Sequence, residues 1–147
     1  MSSRRYPDRP ILGVGALVID GDSILLVERG REPLKGWWSL PGGVVETGEL
    51  LENAVRREVR EETGLEVEIV SLVEVFERIM PDQFGAPEYH YVLMDYLCRV
   101  TGGTLCAADD ASRVAWVKED GFGELKITEG TPAVIARAFR RYREQHV

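Results

Sequence analysis

Cysteine and histidine are almost missing from this chain: two of each occur in 147 residues. Cys98 and Cys106 form no Cys-x-x-Cys pair and have no histidine beside them. That usage excludes a disulfide framework and a zinc site, and it points to a reduced, cytoplasmic setting. Both cysteines read as small, buried apolar residues. No window approaches the ~20 apolar residues that span a bilayer. Met1 to Arg5 is basic but lacks the apolar stretch of a signal peptide. Positive charge is in deficit, with 18 Lys and Arg against 25 Asp and Glu, a net charge of −7. Broad, sequence-blind nucleic-acid binding runs on excess Lys and Arg, so the balance disfavours it. A small phosphate ligand stays open, because carboxylates can hold a cation and the cation can hold a phosphate.

What is present is a globular composition, 44% hydrophobic and 29% charged. The length fits a single domain over residues 1–147, with 1–9 expected as a flexible N-terminal arm. Repeats, low-complexity tracts and linkers are lacking. Ile11 to Asp20 is apolar and β-branched; Gly21-Asp22 turns it, and Ser23 to Glu28 returns as a hairpin partner. A short strand over Trp37 to Leu40 stops at Pro41-Gly42-Gly43. The apolar spacing of Leu50, Leu51, Ala54, Val55 and Val59 predicts a helix over Glu49 to Thr63, capped by Gly64. Val67 to Met80 and Tyr89 to Val100 read as strands around a turn at Pro81 to Pro87, and Ser112 to Val117 as a short strand. Thr131, as N-cap, and Pro132 open a last helix. The order predicts an α+β domain, a mixed sheet with helices packed on it.

Gly43 to Leu65 carries the chemistry. On that helix Glu58 and Glu62 stand four residues apart and Glu61 three after Glu58, which puts them on one face. Like charges at that spacing repel, so helix stability does not account for them. A divalent cation does: Mg²⁺ takes carboxylate oxygens, keeps several waters and then takes phosphate oxygens. The Pro41-Gly42-Gly43 bend lets backbone approach such an ion. Arg57 can fork onto Glu49 or Glu61 and fix a carboxylate from behind. A solvated, charged helix face is the ordinary alternative for a Glu/Arg-rich segment.

The segment GVVETGELLENAVRREVREETGL resembles the Nudix box, Gly-x5-Glu-x7-Arg-Glu-U-x-Glu-Glu-x-Gly-U with U aliphatic. Gly43, Glu49, Arg57, Glu58, Val59, Glu61, Glu62, Gly64 and Leu65 fill its fixed positions. Seven invariant positions coincide by chance on the order of once in 10⁸ windows at average residue usage. Gly36-Trp37-Trp38-Ser39-Leu40-Pro41-Gly42-Gly43 is similar to the family's lead-in. The resemblance implies an α/β/α sandwich with the box as loop–helix–loop. It implies that Glu58, Glu61 and Glu62, with the carbonyl of Gly43, ligate Mg²⁺ or Mn²⁺, and that Glu49 and Arg57 orient them. It also implies a pyrophosphatase that cuts a phosphoanhydride bond in a nucleoside-diphosphate-linked substrate. The proton acceptor is left open between Glu61, Glu62 and the loop acids Asp109 and Asp110.

Substrate-side candidates are fewer. Arg29 ends a strand and can meet a phosphate; Arg78 lies near a strand end facing the cleft. An aromatic among Tyr89, His90 and Tyr91 can stack on a base, and so can one of Trp37 and Trp38, the other packing inside. His90 reads first as a structural residue. Pro81, sixteen residues after Leu65, resembles a mark of ADP-ribose and nucleotide-sugar pyrophosphatases, although Pro81-Asp82 also reads as a turn. ADP-ribose or a nucleotide sugar is therefore the first expectation. A nucleoside triphosphate pyrophosphohydrolase of house-cleaning type, an RNA 5′-end pyrophosphatase and a non-catalytic nucleotide sensor are the alternatives. An isoprenoid diphosphate isomerase on the same fold needs a pocket cysteine in a context that neither Cys98 nor Cys106 offers. The expected partner is a small-molecule nucleoside diphosphate derivative, with no membrane and no nucleic acid; a homodimer is undecided by the sequence.

Overall fold

The computed structural model describes residues 4–145. Its strands are β1 (Ile11–Asp20), β2 (Ser23–Arg29), β3 (Trp38–Ser39), β4 (Gly42–Val44), β5 (Leu65–Pro81), β6 (Pro87–Gly103) and β7 (Ala111–Lys118), with helices α1 (Leu51–Thr63) and α2 (Thr131–Gln145). The sheet runs β3-β2-β1-β6-β5, with β4 joined to β1 and β7 to β2. It is mixed, because β1 runs parallel to β6 and antiparallel to β2 and β4. No helix is long and apolar enough among the described residues to cross a membrane.

Strand alternation sorts the core into two layers. Val14, Ala16 and Val18 of β1 and Met94, Tyr96 and Cys98 of β6 face α1, against Ala54, Val55 and Val59. Leu17 and Ile19 of β1 and Leu97 of β6 face α2, against Val134, Ile135, Ala138 and Phe139. The helices therefore cover opposite faces, which is the expected sandwich. Phe139 is fully buried, and sealing such a side chain contributes about 1.5–3 kcal/mol.

Several expectations shift in detail. Helix α1 begins at Leu51 rather than Glu49, because the Glu49 N–H donates to the Glu46 carbonyl in a preceding turn. Helix α2 begins at Thr131 itself; the hydroxyls of Thr128 and Thr131 meet at 2.6 Å. Cys98 is buried, but Cys106 is exposed, in the coil that crosses the C-terminus of α1 where its N–H donates to the Thr63 carbonyl. Within the N-terminal arm, the Tyr6 N–H donates to the Glu88 carbonyl at 2.7 Å and the Tyr6 hydroxyl to Asp82 at 2.7 Å. Residues 1–3 of that arm lie outside the described residues. Gly64 ends α1 at φ 77°, and a Cβ there would meet the Thr104 carbonyl oxygen at 2.3 Å, so only glycine fits.

Candidate active site

Arg57 is the hub of the box. Its Nε and Nη2 fork onto Glu49 at 2.7 and 3.0 Å, its Nη2 also donates to the Val44 carbonyl at 3.1 Å, and its Nη1 donates to Glu58 at 2.8 Å and Glu61 at 3.3 Å. The choice between Glu49 and Glu61 resolves to both, with the two-pronged grip on Glu49. One guanidinium thus ties the turn before α1, strand β4 and the acidic face of α1. The Glu58 carboxylate lies against the Gly43 backbone: a Cβ on Gly43 would sit 2.5 Å from it. One helical turn on, Glu62 is 5% exposed and accepts the Gly42 N–H at 2.8 Å.

The electrostatics are those of an acidic pair short of cations. Burial pushes the Glu62 carboxyl up to about 8; the charges of Glu58 and Asp110 add to the rise, while the Gly42 N–H and Arg29 oppose it. Burial also raises Glu58, against Arg57, with Glu61 and Asp109 adding to the rise. Glu49 is held low by Arg57. Carboxylates beside a glycine bend form the oxygen donor set that a hard divalent cation takes, and the mutual repulsion is what such a charge relieves. The residues fit the ion in kind. The side chains do not yet form a cage: among the described residues no three acidic, His or Cys groups converge on one point. Glu58 and Glu62 line the cleft, while Glu61 is exposed and shares Arg57 Nη1 with Glu58.

Asp110 lines the same cleft as Glu58 and Glu62. Its Oδ1 is buried without a hydrogen-bond partner, although Arg31 Nε stands 2.8 Å away in poor alignment. Asp109 precedes it at φ 54°. Arg29 and Arg78 both line the cleft; Arg29 donates to the Pro33 carbonyl at 2.7 Å and Arg78 to the Glu129 carbonyl. Trp37 and Tyr89 are not brought to it. Trp38, which opens β3, packs into the core, while Trp37 just before the strand lies under Lys126. Tyr89 stacks on Tyr91 at 6.4 Å, and Tyr91, one step nearer, is the aromatic on the cleft. Pro81 ends β5 at the hairpin tip, where Asp82 accepts the N–H groups of Phe84 and Ala86; it stands outside the cleft.

The family model described as NUDIX domain matches residues 9–138. This chain belongs to the Nudix family. It is 41% identical to an ADP-ribose pyrophosphatase of Methanocaldococcus jannaschii over 69% of its own length and 58% of that protein. It is 39% identical to an 8-oxo-dGDP phosphatase of Mus musculus over 61% of its length and 25% of that protein. The chain thus spans less than two thirds of either curated relative. Among solved structures, a MutT Nudix hydrolase from Burkholderia pseudomallei superposes with a TM-score of 0.77 at 30% identity, covering 88% of this chain and 98% of that one.

The Nudix domain also holds a cleft residue that the sequence reading passed over. Asp95 of β6 is 4% exposed and lines the cleft with Arg78. The signal was there: it is the lone charge inside the apolar run Val92-Leu93-Met94-Asp95-Tyr96-Leu97-Cys98.

Proposed function

We propose that this Nudix domain is a divalent-metal-dependent hydrolase that cuts the diphosphate of a nucleoside-diphosphate-linked substrate, with ADP-ribose or a nucleotide sugar first in order. The observation that carries it is the pairing of Glu58 and Glu62 against the Gly42-Gly43 bend, with Arg57 locking the acidic face from behind. Glu58 and Glu62, joined by Glu61 and the Gly43 carbonyl, would hold Mg²⁺ or Mn²⁺. Such an ion supplies neutralisation of phosphoryl charge and acidification of water. Arg57 and Glu49 keep the carboxylates in place. Asp110 takes the proton of the attacking water in this reading: it lines the cleft with Glu58 and Glu62, and its buried Oδ1 has Arg31 Nε beside it but no aligned hydrogen bond. Arg29 and Arg78 meet the phosphates and balance the charge that gathers on them. The relative from M. jannaschii, named an ADP-ribose pyrophosphatase, supports the substrate order.

The mouse relative, named an 8-oxo-dGDP phosphatase, favours a second reading in which a free nucleoside di- or triphosphate is cut. One experiment separates them: ADP-ribose, nucleotide sugars and nucleoside di- and triphosphates incubated with Mg²⁺ or Mn²⁺, with products identified by mass. AMP and ribose 5-phosphate from ADP-ribose is the expected result. Preferred release of phosphate or diphosphate from free nucleotides gives the second reading. Tight binding without cleavage of any of them overturns both and leaves a nucleotide sensor.

A further inference from the structure

Asp95 has no structural employment. Among the described residues no hydrogen bond or ion pair reaches its carboxylate, though it is 4% exposed. A buried, unpaired carboxylate costs stability, and burial holds it up to about 6, with Arg78 as the opposing charge. Its space is kept open: β1 puts Gly15 directly beside it, and a Cβ on Gly15 would fall 2.3 Å from Asp95 Oδ1. What remains accessible opens on the cleft, beside Arg78, Tyr91 and Phe76. An acceptor-only group, desolvated and aimed at a ligand cavity, recognises donors.

We propose that Asp95 is the specificity residue of the cleft, its two oxygens accepting a pair of hydrogen bonds from adjacent donors of the bound nucleoside. Two parts of a nucleotide offer that chemistry: the 2′,3′-diol of the ribose and the N–H edge of the base. Both belong to the nucleoside and not to the diphosphate, so Asp95 selects the substrate and takes no part in cleavage. The inference rests on the hydrolase reading for its ligand class. A site built around such a pair rejects ligands that lack it, because its own buried group is then left unpaired.

Calorimetric titration in EDTA tests this without turnover. The probes are ADP and GDP, 2′-deoxy-ADP for the sugar, and IDP and purine-riboside diphosphate for the base. In the wild type, removing the recognised donor weakens binding about tenfold or more. In Asp95→Ala, which leaves no acceptor at the position, that penalty disappears, since the coupling between ligand donor and side chain has been cut. A penalty in 2′-deoxy-ADP assigns the ribose, and one in IDP or purine-riboside diphosphate assigns the base. Equal binding of each pair by wild type overturns the proposal whether or not the variant folds, as does an Asp95→Ala variant that keeps the full penalty. Wild type that binds none of the probes overturns it too. Failure of the hydrolase reading shows separately, as absence of cleavage with metal present.

Discussion

The backbone N–H of Gly42 donates to the Glu62 carboxylate at 2.8 Å, across twenty residues of chain. This single bond seats the second turn of the acidic face of α1 on the glycine bend. It also sets the terms for mutation, because an amide oxygen can accept that N–H as well as a carboxylate does.

Glu62→Gln and Glu58→Gln should therefore keep the fold and lose the chemistry. Turnover at saturating Mg²⁺ is expected to fall by about two orders or more. Mg²⁺ or Mn²⁺ should raise the melting temperature of the wild type by simple linkage and of either variant much less. Calorimetry across a metal titration, beside rate measurements, checks both halves. Wild-type rates in the variants, or a flat titration of the parent, would count against a carboxylate cation site.

Arg57→Lys keeps the charge and loses the fork. Lysine cannot grip Glu49 with two parallel N–H groups while reaching Glu58 and the Val44 carbonyl. The expected cost is about 10- to 100-fold in kcat/KM or metal affinity, the size seen when groups behind metal ligands are removed. Rescue by Lys to within twofold would show that charge alone matters there.

Two adjacent glycines should answer differently to alanine. At Gly43 the new Cβ meets the far end of Glu58 at 2.5 Å, a side chain that can move. At Gly42 it meets the Val14 carbonyl oxygen at 2.1 Å, in backbone that cannot. Gly43→Ala should fold and lose activity; Gly42→Ala should lower the melting temperature sharply or fail to fold. Thermal melts with activity assays check the contrast, which an equal effect at both positions would refute.

Asp95→Asn should raise stability at neutral pH. Its carboxyl sits at about 6 in the fold against an ordinary 3.8. Because the folded value is the higher one, the native state binds the proton more tightly. Stability tied to this group is whole below pH 3.8 and is lost as pH rises through about 6. A shift of that size is worth on the order of 3 kcal/mol. Wild type and variant should therefore melt alike near pH 4, with the variant higher at pH 7. Parallel curves across that range would show that the group does not titrate as a buried acid.

Sequence spacing alone determined the local facts. The period of Ala54, Val55 and Val59 set the helix, the alternation in β1 set two buried faces, and the box put Glu58, Glu61 and Glu62 on one side of α1, because helix and strand geometry follow from neighbours in the chain. Tertiary structure decided which of those groups meet. Glu61 stays exposed on Arg57 while Glu62 is buried against Gly42; Trp37 and Tyr89 lie off the cleft while Tyr91 lies on it. Asp95 became a cleft residue only when β1 and β6 paired in parallel and set it beside Gly15, across eighty residues of chain. Such a contact depends on register between distant strands, and no local pattern encodes register.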